Sequence, residues 1–273
     1  MRRSRVEVGE PVLILLLAVV LASSGWAIAE DNADAIIQHS VEANKRDWDA
    51  APGFDCLERD RESGGTKTYE DTMILGSPYQ RLVAINGKPL TPEQTAAEKQ
   101  KLEDTISERK KESPQERSER IAKYEKERRR NHLLMEQMVS AFTFKVVGKT
   151  NLDGHAVYVL KASPRRGYRP PNMETEALTG MEGKLWIDRA TFQWVKVEAQ
   201  VTHPVSIADF LAQVEPGTHF ELEKQPVAPG IWLPRRFSMK ARARILFMIP
   251  HHGQEDDTYF DYHKAAASPA STP

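Results

Sequence analysis

The sequence of 273 residues has a single cysteine, Cys56, so no intrachain disulfide can form. We expect this lone thiol to be a small buried residue, with an intermolecular disulfide or a reactive site as the alternative. Because no disulfide stabilises the fold, a hydrophobic core has to supply its stability. The length suits one large all-β or α+β domain, or two small ones.

An excess of charge of one sign is also absent. The 38 lysines and arginines balance 39 acidic residues, and the formal net charge is -1. The sequence therefore lacks the positive charge that is typical of nucleic-acid-binding proteins. We expect no nucleic acid among its partners.

Catalytic motifs are missing as well. The sequence contains no glycine-framed serine, phosphate-binding loop, zinc-binding helix motif or catalytic cysteine signature. The best candidate for a metal site is His251-His252, which precedes three acidic residues at positions 255–257. Adjacent side chains on an extended chain point to opposite faces, and such acids are typical of a solvated loop. We therefore expect no enzyme activity, catalytic residues, metal site or cofactor.

The N-terminus carries the pattern of a cleaved secretory signal. Three arginines lie within the first five residues, residues 12–22 form an apolar run, and Ala27-Ile28-Ala29 fits a leader-peptidase site. The run is about half of the ~20 residues that a membrane-spanning helix needs. We expect cleavage after Ala29 and export to the periplasm without a permanent membrane span, with a permanent anchor as the alternative.

Apolar periodicity in the first part of the chain predicts an amphipathic helix over residues 33–48, followed by antiparallel strands. Asn86-Gly87 and Asp153-Gly154 are tight-turn signals between or after these strands. The predicted strands before residue 161 cover residues 69–75, 79–85, 142–147 and 157–160.

Residues 92–130 interrupt this meander, and 22 of these 39 residues are charged. The segments Thr91-Pro92-Glu93-Gln94 and Ser113-Pro114-Gln115-Glu116 each combine a capping hydroxyl, a proline at the first helical position and Glu or Gln at the third. Two helices are therefore predicted to meet near Ser113. We expect a solvated helical hairpin, with a docking arm for another protein or for an anionic surface as the alternative.

The second half of the chain gives the clearest strand pattern, beginning with residues 184–188 and 192–201. If Asp188 pairs with Phe192, the same register places Leu185 opposite Val195 and Trp186 opposite Trp194. Further predicted elements are a loop over residues 163–179, a short helix over residues 206–214, strands over residues 219–225, 237–247 and 258–262, and a disordered tail over residues 265–273.

Three segments of this half resemble the bacterial outer-membrane lipoprotein-sorting proteins. They are Gly183-Lys184-Leu185-Trp186-Ile187-Asp188, residues 192–199 and Pro229-Gly230-Ile231-Trp232-Leu233-Pro234. The resemblance implies an α+β fold in which a curved antiparallel sheet forms an incomplete β-barrel with covering helices. It also implies a cavity on the concave side that receives the acyl chains of a lipid or lipoprotein. The same fold also serves periplasmic sensors of envelope stress.

We therefore expect a signal peptide (1–29), a single carrier-like β domain (30–264) with a charged helical insertion (92–131), and the tail. The main functional hypothesis is an exported carrier of lipid or lipoprotein acyl chains. The alternative is a periplasmic interaction or envelope-sensor protein that meets an envelope protein through residues 92–131 and transports no ligand. Eight inward-facing apolar residues are predicted to bind the ligand, although they could equally be plain core. They are Leu185, Ile187, Val195, Val197, Phe220, Leu222, Phe237 and Met239.

Overall fold

The computed structural model describes residues 32–62, 64–207, 212–245 and 249–265. The predicted signal peptide, and all of the predicted tail except residue 265, lie outside these residues. The helices are α1 (Ala33–Ala50), α2 (Pro92–Lys111), α3 (Pro114–Ala141) and the single turn α4 (Met173–Glu176). The strands are β1 (Phe54–Glu62), β2 (Gly65–Ile74), β3 (Ser77–Ile85), β4 (Lys88–Pro89), β5 (Phe142–Leu152), β6 (His155–Pro164), β7 (Met181–Asp188), β8 (Trp194–Val201), β9 (Val205–Ile207), β10 (Ala212–Val214), β11 (His219–Ala228), β12 (Ile231–Ile245) and β13 (Ile249–Lys264).

Eleven of the strands form one continuous antiparallel sheet in the order β4-β3-β2-β1-β13-β12-β11-β8-β7-β6-β5. In the described chain, β4 and β5 are the two edges and do not pair with each other, so the barrel stays open. The short strands β9 and β10 form a side branch on β12. This architecture confirms the predicted α+β fold with an incomplete β-barrel. We call the face of the sheet on which α1 packs the inner face.

The first helix, α1, forms where the sequence predicted it. The side chain of Asn32 caps its first turn by accepting hydrogen bonds from the backbone N–H groups of Asp34 and Ala35. Its buried side is apolar, and Ile36 and Ile37 are 5% and 2% exposed. These two side chains pack into the main core, which unites α1, the end of α3 and strands β5 to β8. The buried members of that core are Ile36, Ile37, Ala141, Phe142, Leu160, Ala162, Leu178, Met181, Leu185, Ile187, Trp194, Val197 and Val201.

A buried polar network fixes α1 to the sheet. The carboxylate of Asp47 accepts hydrogen bonds from the Gln193 side chain (3.0 Å), from the Trp232 backbone N–H (2.9 Å) and from the ammonium group of Lys224. Lys224 also donates to Asn44 at 2.8 Å. Burial lowers the pKa of Lys224, and the neighbouring Asp47 carboxylate opposes this shift. The network joins α1 to strands β11 and β12 and to the residue before β8, through a buried ion pair whose partners are both hydrogen-bonded.

The charged insertion is a helical hairpin, as predicted. Thr91 and Ser113 each begin a helix with a complete capping box, and each is followed by proline. Within the hairpin, Arg120 forms an ion pair with Glu112, and Arg128 forms one with Glu125. The second helix also continues beyond residue 130 to Ala141, so its last turns belong to the core.

The tip of the hairpin is anchored to the β2–β3 turn. Arg109 donates hydrogen bonds to the backbone oxygens of Ile74, Ser77 and Pro78 at 2.7 to 3.1 Å. Arg120 donates to the Ser77 hydroxyl at 2.7 Å and to the Leu75 carbonyl at 3.1 Å. A Cβ atom on the neighbouring Gly76 (φ +92°) would lie 2.8 Å from the Ile121 side chain, so glycine is required there for conformation and for space.

Two predictions for the second half are wrong. Between β7 and β8, Leu185 pairs with Val197 and Ile187 with Trp194, so the register differs from the predicted one and contains a bulge after Trp186. The turn between β7 and β8 is longer than predicted. The Asp188 carboxylate stabilises this longer turn by accepting hydrogen bonds from the backbone N–H groups of residues 190 and 191. Trp186 and Trp194 consequently lie in different clusters and do not form a cross-strand pair.

The helix predicted for residues 206–214 is also wrong, because residues 205–207 and 212–214 are the paired strands β9 and β10. Residues 208–211 lie outside the described chain. Tertiary pairing with β12 overrides the helical spacing of the apolar side chains here. The predicted loop over residues 163–179 contains the turn α4 and part of a 3₁₀ turn, Ala177–Gly180.

Candidate ligand-binding face

Three of the predicted lining residues lie in the main core. Leu185, Ile187 and Val197 are 1%, 0% and 5% exposed, and they pack with the isoleucines of α1. Helix α1 therefore fills the inner face over strands β6 to β8 and does not merely cover it. Ligand binding by these three residues remains a prediction that would require α1 to move.

Val195 lies on the other face of the sheet. It packs with Val157 and Trp232 in a second, smaller cluster. Val157 is three residues from Leu160 on the same strand, and an odd spacing places these two side chains on opposite faces. Leu160 belongs to the main core, so Val195 faces away from it. The bulge after Trp186 is the cause, because it changes the alternation along β8.

The other four predicted residues lie at or beyond the edge of the main core. Phe220 and Leu222 of β11 are half-buried and pack against its margin. Phe237 and Met239 pair with Leu222 and Phe220 and therefore share the inner face, but they belong to neither cluster. In the described chain, β12, β13, β1, β2 and β3 contribute no residue to the main core. The filled part of the inner face therefore ends at β11.

Beyond β11, the inner face continues as a strip of side chains that are half-buried except for the buried Asp257. The strand register identifies the residues of this strip, because residues that pair directly in antiparallel strands lie on the same face of the sheet. Phe237 pairs with Asp257 of β13, Asp257 with Asp60 of β1, and Glu58 with both Tyr259 of β13 and Tyr69 of β2. We call this surface the inner strip and define it by Phe237, Met239, Asp257, Tyr259, Glu58, Tyr69 and Asp71.

An open groove continues the inner strip toward the charged hairpin. It has a volume of about 650 Å³ and separates α2 from β2 and β3. Tyr69 and Leu82 line it from the sheet, while Lys101, Asp104 and Thr105 line it from α2. The inner strip thus lies between the main core on one side and the α2 wall of this groove on the other.

The acidic residues of the inner strip are partly neutral near pH 7. Burial, and then the nearby Asp71 carboxyl, raise the pKa of Glu58 to about 7. Burial, and then a hydrogen bond with Glu255, raise the pKa of Asp257 to about 7. Burial also raises the pKa of Asp71. The strip is therefore less charged than its sequence suggests.

The pKa values of one thiol and two tyrosine hydroxyls in or beside the strip are also raised. Burial, and then the carboxyls of Asp71 and Glu58, raise the pKa of the Cys56 thiol to about 12. This value leaves the thiol protonated and unreactive, as the sequence predicted for a buried cysteine. Burial likewise raises the pKa values of Tyr259 and Tyr262 above the ordinary tyrosine range.

Sequence reasoning missed most of the inner strip. Tyr69, Tyr259 and Glu58 were not among the predicted site residues. The inner face of β1 and β13 carries acidic and tyrosine side chains, so these strands lack the alternation of apolar and polar residues that predicts a lining strand. The β1 segment itself alternates Cys56 and Glu58 with Leu57 and Arg59, which gives no apolar face. These residues come together only because β1 pairs with β13, and the sequence gives no local signal for a pairing between strands so far apart in the chain.

Two further features concern metals and membranes. Among the residues that the structure describes, no group of three or more His, Cys, Asp or Glu side chains is arranged to hold a metal ion. The side chains of His251 and His252 lie outside the described part of the chain. No helix in the described ranges is long and apolar enough to cross a membrane.

No model of a known protein family and no curated protein matches this chain. Similar solved structures include an outer membrane lipoprotein-sorting protein domain from Vibrio parahaemolyticus, which is 13% identical (86% of this chain, 94% of that chain, TM-score 0.34). A LolA superfamily protein from Nitrosomonas europaea is 12% identical (87% and 94%, TM-score 0.31), and MucB in complex with MucA(peri) is 12% identical (86% and 100%, TM-score 0.24). The comparison of structures thus finds the same lipoprotein-sorting group that the sequence resembles. This similarity concerns the fold, and at these TM-scores it carries no argument about ligand or partner.

Proposed function

We propose that this protein is an exported, periplasmic carrier that holds an apolar or amphipathic ligand, such as lipid or lipoprotein acyl chains, on the inner strip. The observation that carries the proposal is the unequal filling of the inner face. Helix α1 packs the half formed by β5 to β8, whereas Phe237, Met239 and Tyr259 on the other half remain half-buried outside any core cluster.

The chemistry of the strip suits such a ligand. Phenylalanine, methionine and tyrosine side chains supply apolar area, and tyrosine adds a hydroxyl for a polar end group. The carboxyls of Glu58 and Asp257, with pKa values of about 7, are charged for only part of the time at neutral pH. A strip with these properties combines an apolar surface with few fixed charges.

The ligand-binding residues proposed from the sequence are reduced accordingly. Phe237 and Met239 lie within the inner strip, and Phe220 and Leu222 form its border with the main core. Leu185, Ile187 and Val197 lie in the main core beneath α1, outside the strip. Val195 has no place in the site, because it packs on the opposite face.

A second candidate function, interaction with an envelope protein, is supported by the exposure of helix α2. Helix α2 has no buried residue, although it is 20 residues long. A charged helix without a buried residue, anchored by Arg109 near its C-terminal end, is suited to meeting an envelope protein through residues 92–131. Under this alternative the protein would act as an interaction or sensor protein and transport no ligand.

Co-purified lipid and probe binding test the carrier proposal. Organic extracts of the purified exported protein, analysed by mass spectrometry, should contain lipid, and a fluorescent fatty-acid probe should bind the delipidated protein. Met239→Trp should weaken probe binding by about tenfold, which corresponds to about 1.4 kcal/mol, because the larger ring occupies the strip. Val147→Trp is the matched control, since Val147 is 50% exposed on β5 and distant in register from the strip.

Two outcomes would reject the carrier proposal. One is a wild-type protein that contains no extractable lipid and binds no probe. The other is equal probe affinity in the wild type and in both tryptophan variants. In either case, the interaction function would be tested next, by crosslinking residues 92–131 to an envelope protein in the native envelope.

A further inference from the structure

A second groove lies between α1 and α3. Its volume is about 750 Å³. Lys45 and Trp48 line it from α1, and most of the remaining lining comes from α3. The charged α3 residues that line it are Lys123, Lys126, Glu127, Arg129, Arg130 and Glu136. This groove shares no residue with the inner strip.

The floor of the groove is a preformed stack of side chains. The rings of Trp48 and His132 are stacked with centroids 4.5 Å apart. The guanidinium group of Arg128 lies 4.1 Å from the centroid of the Trp48 ring, and it also donates to the Trp48 carbonyl and pairs with Glu125. Arg128 is therefore already occupied by partners within the chain. Its role is to hold the two helices together at the base of the groove.

The rim of the groove carries positive charge that no described acidic side chain neutralises through an ion pair. Lys123, Lys126, Arg129 and Arg130 are all exposed, and in the described part of the chain none of them has an acidic partner within ion-pair distance. Lys123, Lys126 and Arg129 follow one another at intervals of three residues, and Arg130 lies four residues after Lys126, so all four lie along one side of α3. They extend over about 10 Å, given the rise of about 1.5 Å per residue. Only Glu127 and Glu136 oppose them in the lining.

The form of this charge indicates the kind of partner. A site for one defined carboxylate uses donors that are fixed in orientation, as Arg120 is by Glu112 at 2.6 Å. The four rim cations are instead exposed, have no acidic partner among the described residues and extend along two helical turns, which suits a surface of many mobile anionic groups. The half-buried Trp48 beside them is a side chain that is enriched at the level of lipid head groups.

We propose that the groove between α1 and α3 is a docking surface for a bilayer that contains anionic phospholipids. The inference goes beyond the carrier function and does not rest on it, since it uses other residues on another surface. It assigns a membrane-facing role to α3 of the charged hairpin, whereas α2 lines the separate groove beside β2 and β3. Binding is electrostatic and peripheral.

Vesicle co-sedimentation tests this proposal. The full-length exported protein should bind vesicles of phosphatidylcholine with phosphatidylglycerol, and should not bind vesicles of phosphatidylcholine alone. Each lysine or arginine near an anionic surface changes partitioning by about fivefold. The variant with Lys123, Lys126, Arg129 and Arg130 all changed to Gln should therefore bind roughly a hundredfold more weakly or worse, and added salt should weaken the wild type.

The matched control removes the same charge from exposed positions outside the groove. Changing Lys88, Lys99, Lys110 and Lys111 to Gln alters the net charge equally, and this variant should keep binding to within about fivefold. Equal losses in the two variants would overturn the proposal, and so would equal binding to neutral vesicles. Groove-dependent binding to polyglutamate but not to vesicles would also overturn it, in favour of an acidic protein partner. Probe binding on the inner strip is measured separately, so failure of either proposal is distinguishable from failure of the other.

Discussion

Glu58, Asp71 and Asp257 are acidic side chains that the sheet withdraws from water, and this placement makes the stability of the fold depend on pH. Folded-state pKa values of about 7 for Glu58 and Asp257 exceed their ordinary values of 4.5 and 3.8. The folded chain therefore binds protons more tightly than the unfolded chain does. Their contribution to stability is fully present below about pH 4 and is lost as the pH rises to about 7.

The free energy of unfolding should consequently fall between pH 5 and pH 7.5, and Glu58→Gln should reduce that fall, because glutamine imitates the protonated carboxyl. Urea denaturation at the two pH values measures the effect. Glu119→Gln is the control, since Glu119 is exposed on α3 and should leave the pH dependence unchanged. Equal pH dependence in the wild type and in Glu58→Gln would show that Glu58 titrates alike in both states.

The residue-scale predictions from sequence succeeded where local pattern decides the outcome. The alternation around Leu185 and Ile187 correctly predicts that they point to the inner face. The role of Asp47 could not be predicted, because its partners Gln193, Lys224 and Trp232 lie on strands in the distant half of the chain. A charged residue on an amphipathic helix is ordinarily solvated, and only the tertiary structure shows that this one is buried.

At the scale of elements, capping and turn chemistry predicted the boundaries best. The starts of α2 and α3 follow from their capping boxes, and the turns at Asn86-Gly87 and Asp153-Gly154 are confirmed by positive φ angles. Strand β1 was missed because its inner face carries Glu58 and not an apolar side chain. The register of β7 with β8 was wrong because a side chain, Asp188, determines the length of the connection.

The filling of the inner face by α1 leads to a prediction about packing. Val197 is 5% exposed and pairs with Leu185 beneath the helix, so no space is available for a larger side chain. Val197→Trp should lower the free energy of unfolding by about 1–3 kcal/mol, as measured by urea denaturation. Met239→Trp, on the half-buried strip, is the comparison and should cost less. Full stability of Val197→Trp would mean that α1 covers a cavity and does not fill it.

At the scale of the whole molecule, the fold separates a rigid half from an open half. The main core and the Asp47 network join α1 to β8, β11 and β12, whereas β1 to β3 are joined to the helices mainly through the tip of the charged hairpin. The sequence predicted the open barrel through its resemblance to a carrier family. It could not predict which half is filled, because that depends on how a helix from the N-terminal part packs on strands from the C-terminal part.

This separation predicts the effect of removing the hairpin. A short Gly-Ser linker between Leu90 and Asn131 deletes all of α2, which has no buried residue, together with the exposed part of α3. The last turns of α3, whose Met135, Met138 and Val139 pack against the main core, are retained. The main losses are the tip contacts, the contacts of Arg128 with Trp48 and several exposed ion pairs. Exposed ion pairs typically contribute 0 to about 1 kcal/mol each. We expect a folded sheet with a melting temperature that is lower by about 2–8 °C in calorimetry. The double variant Arg109→Ala and Arg120→Ala keeps the hairpin but releases its tip, so most of this decrease should already be present there. Complete unfolding of the deletion would contradict the separation into two halves, because the open half would then depend on the hairpin for its structure.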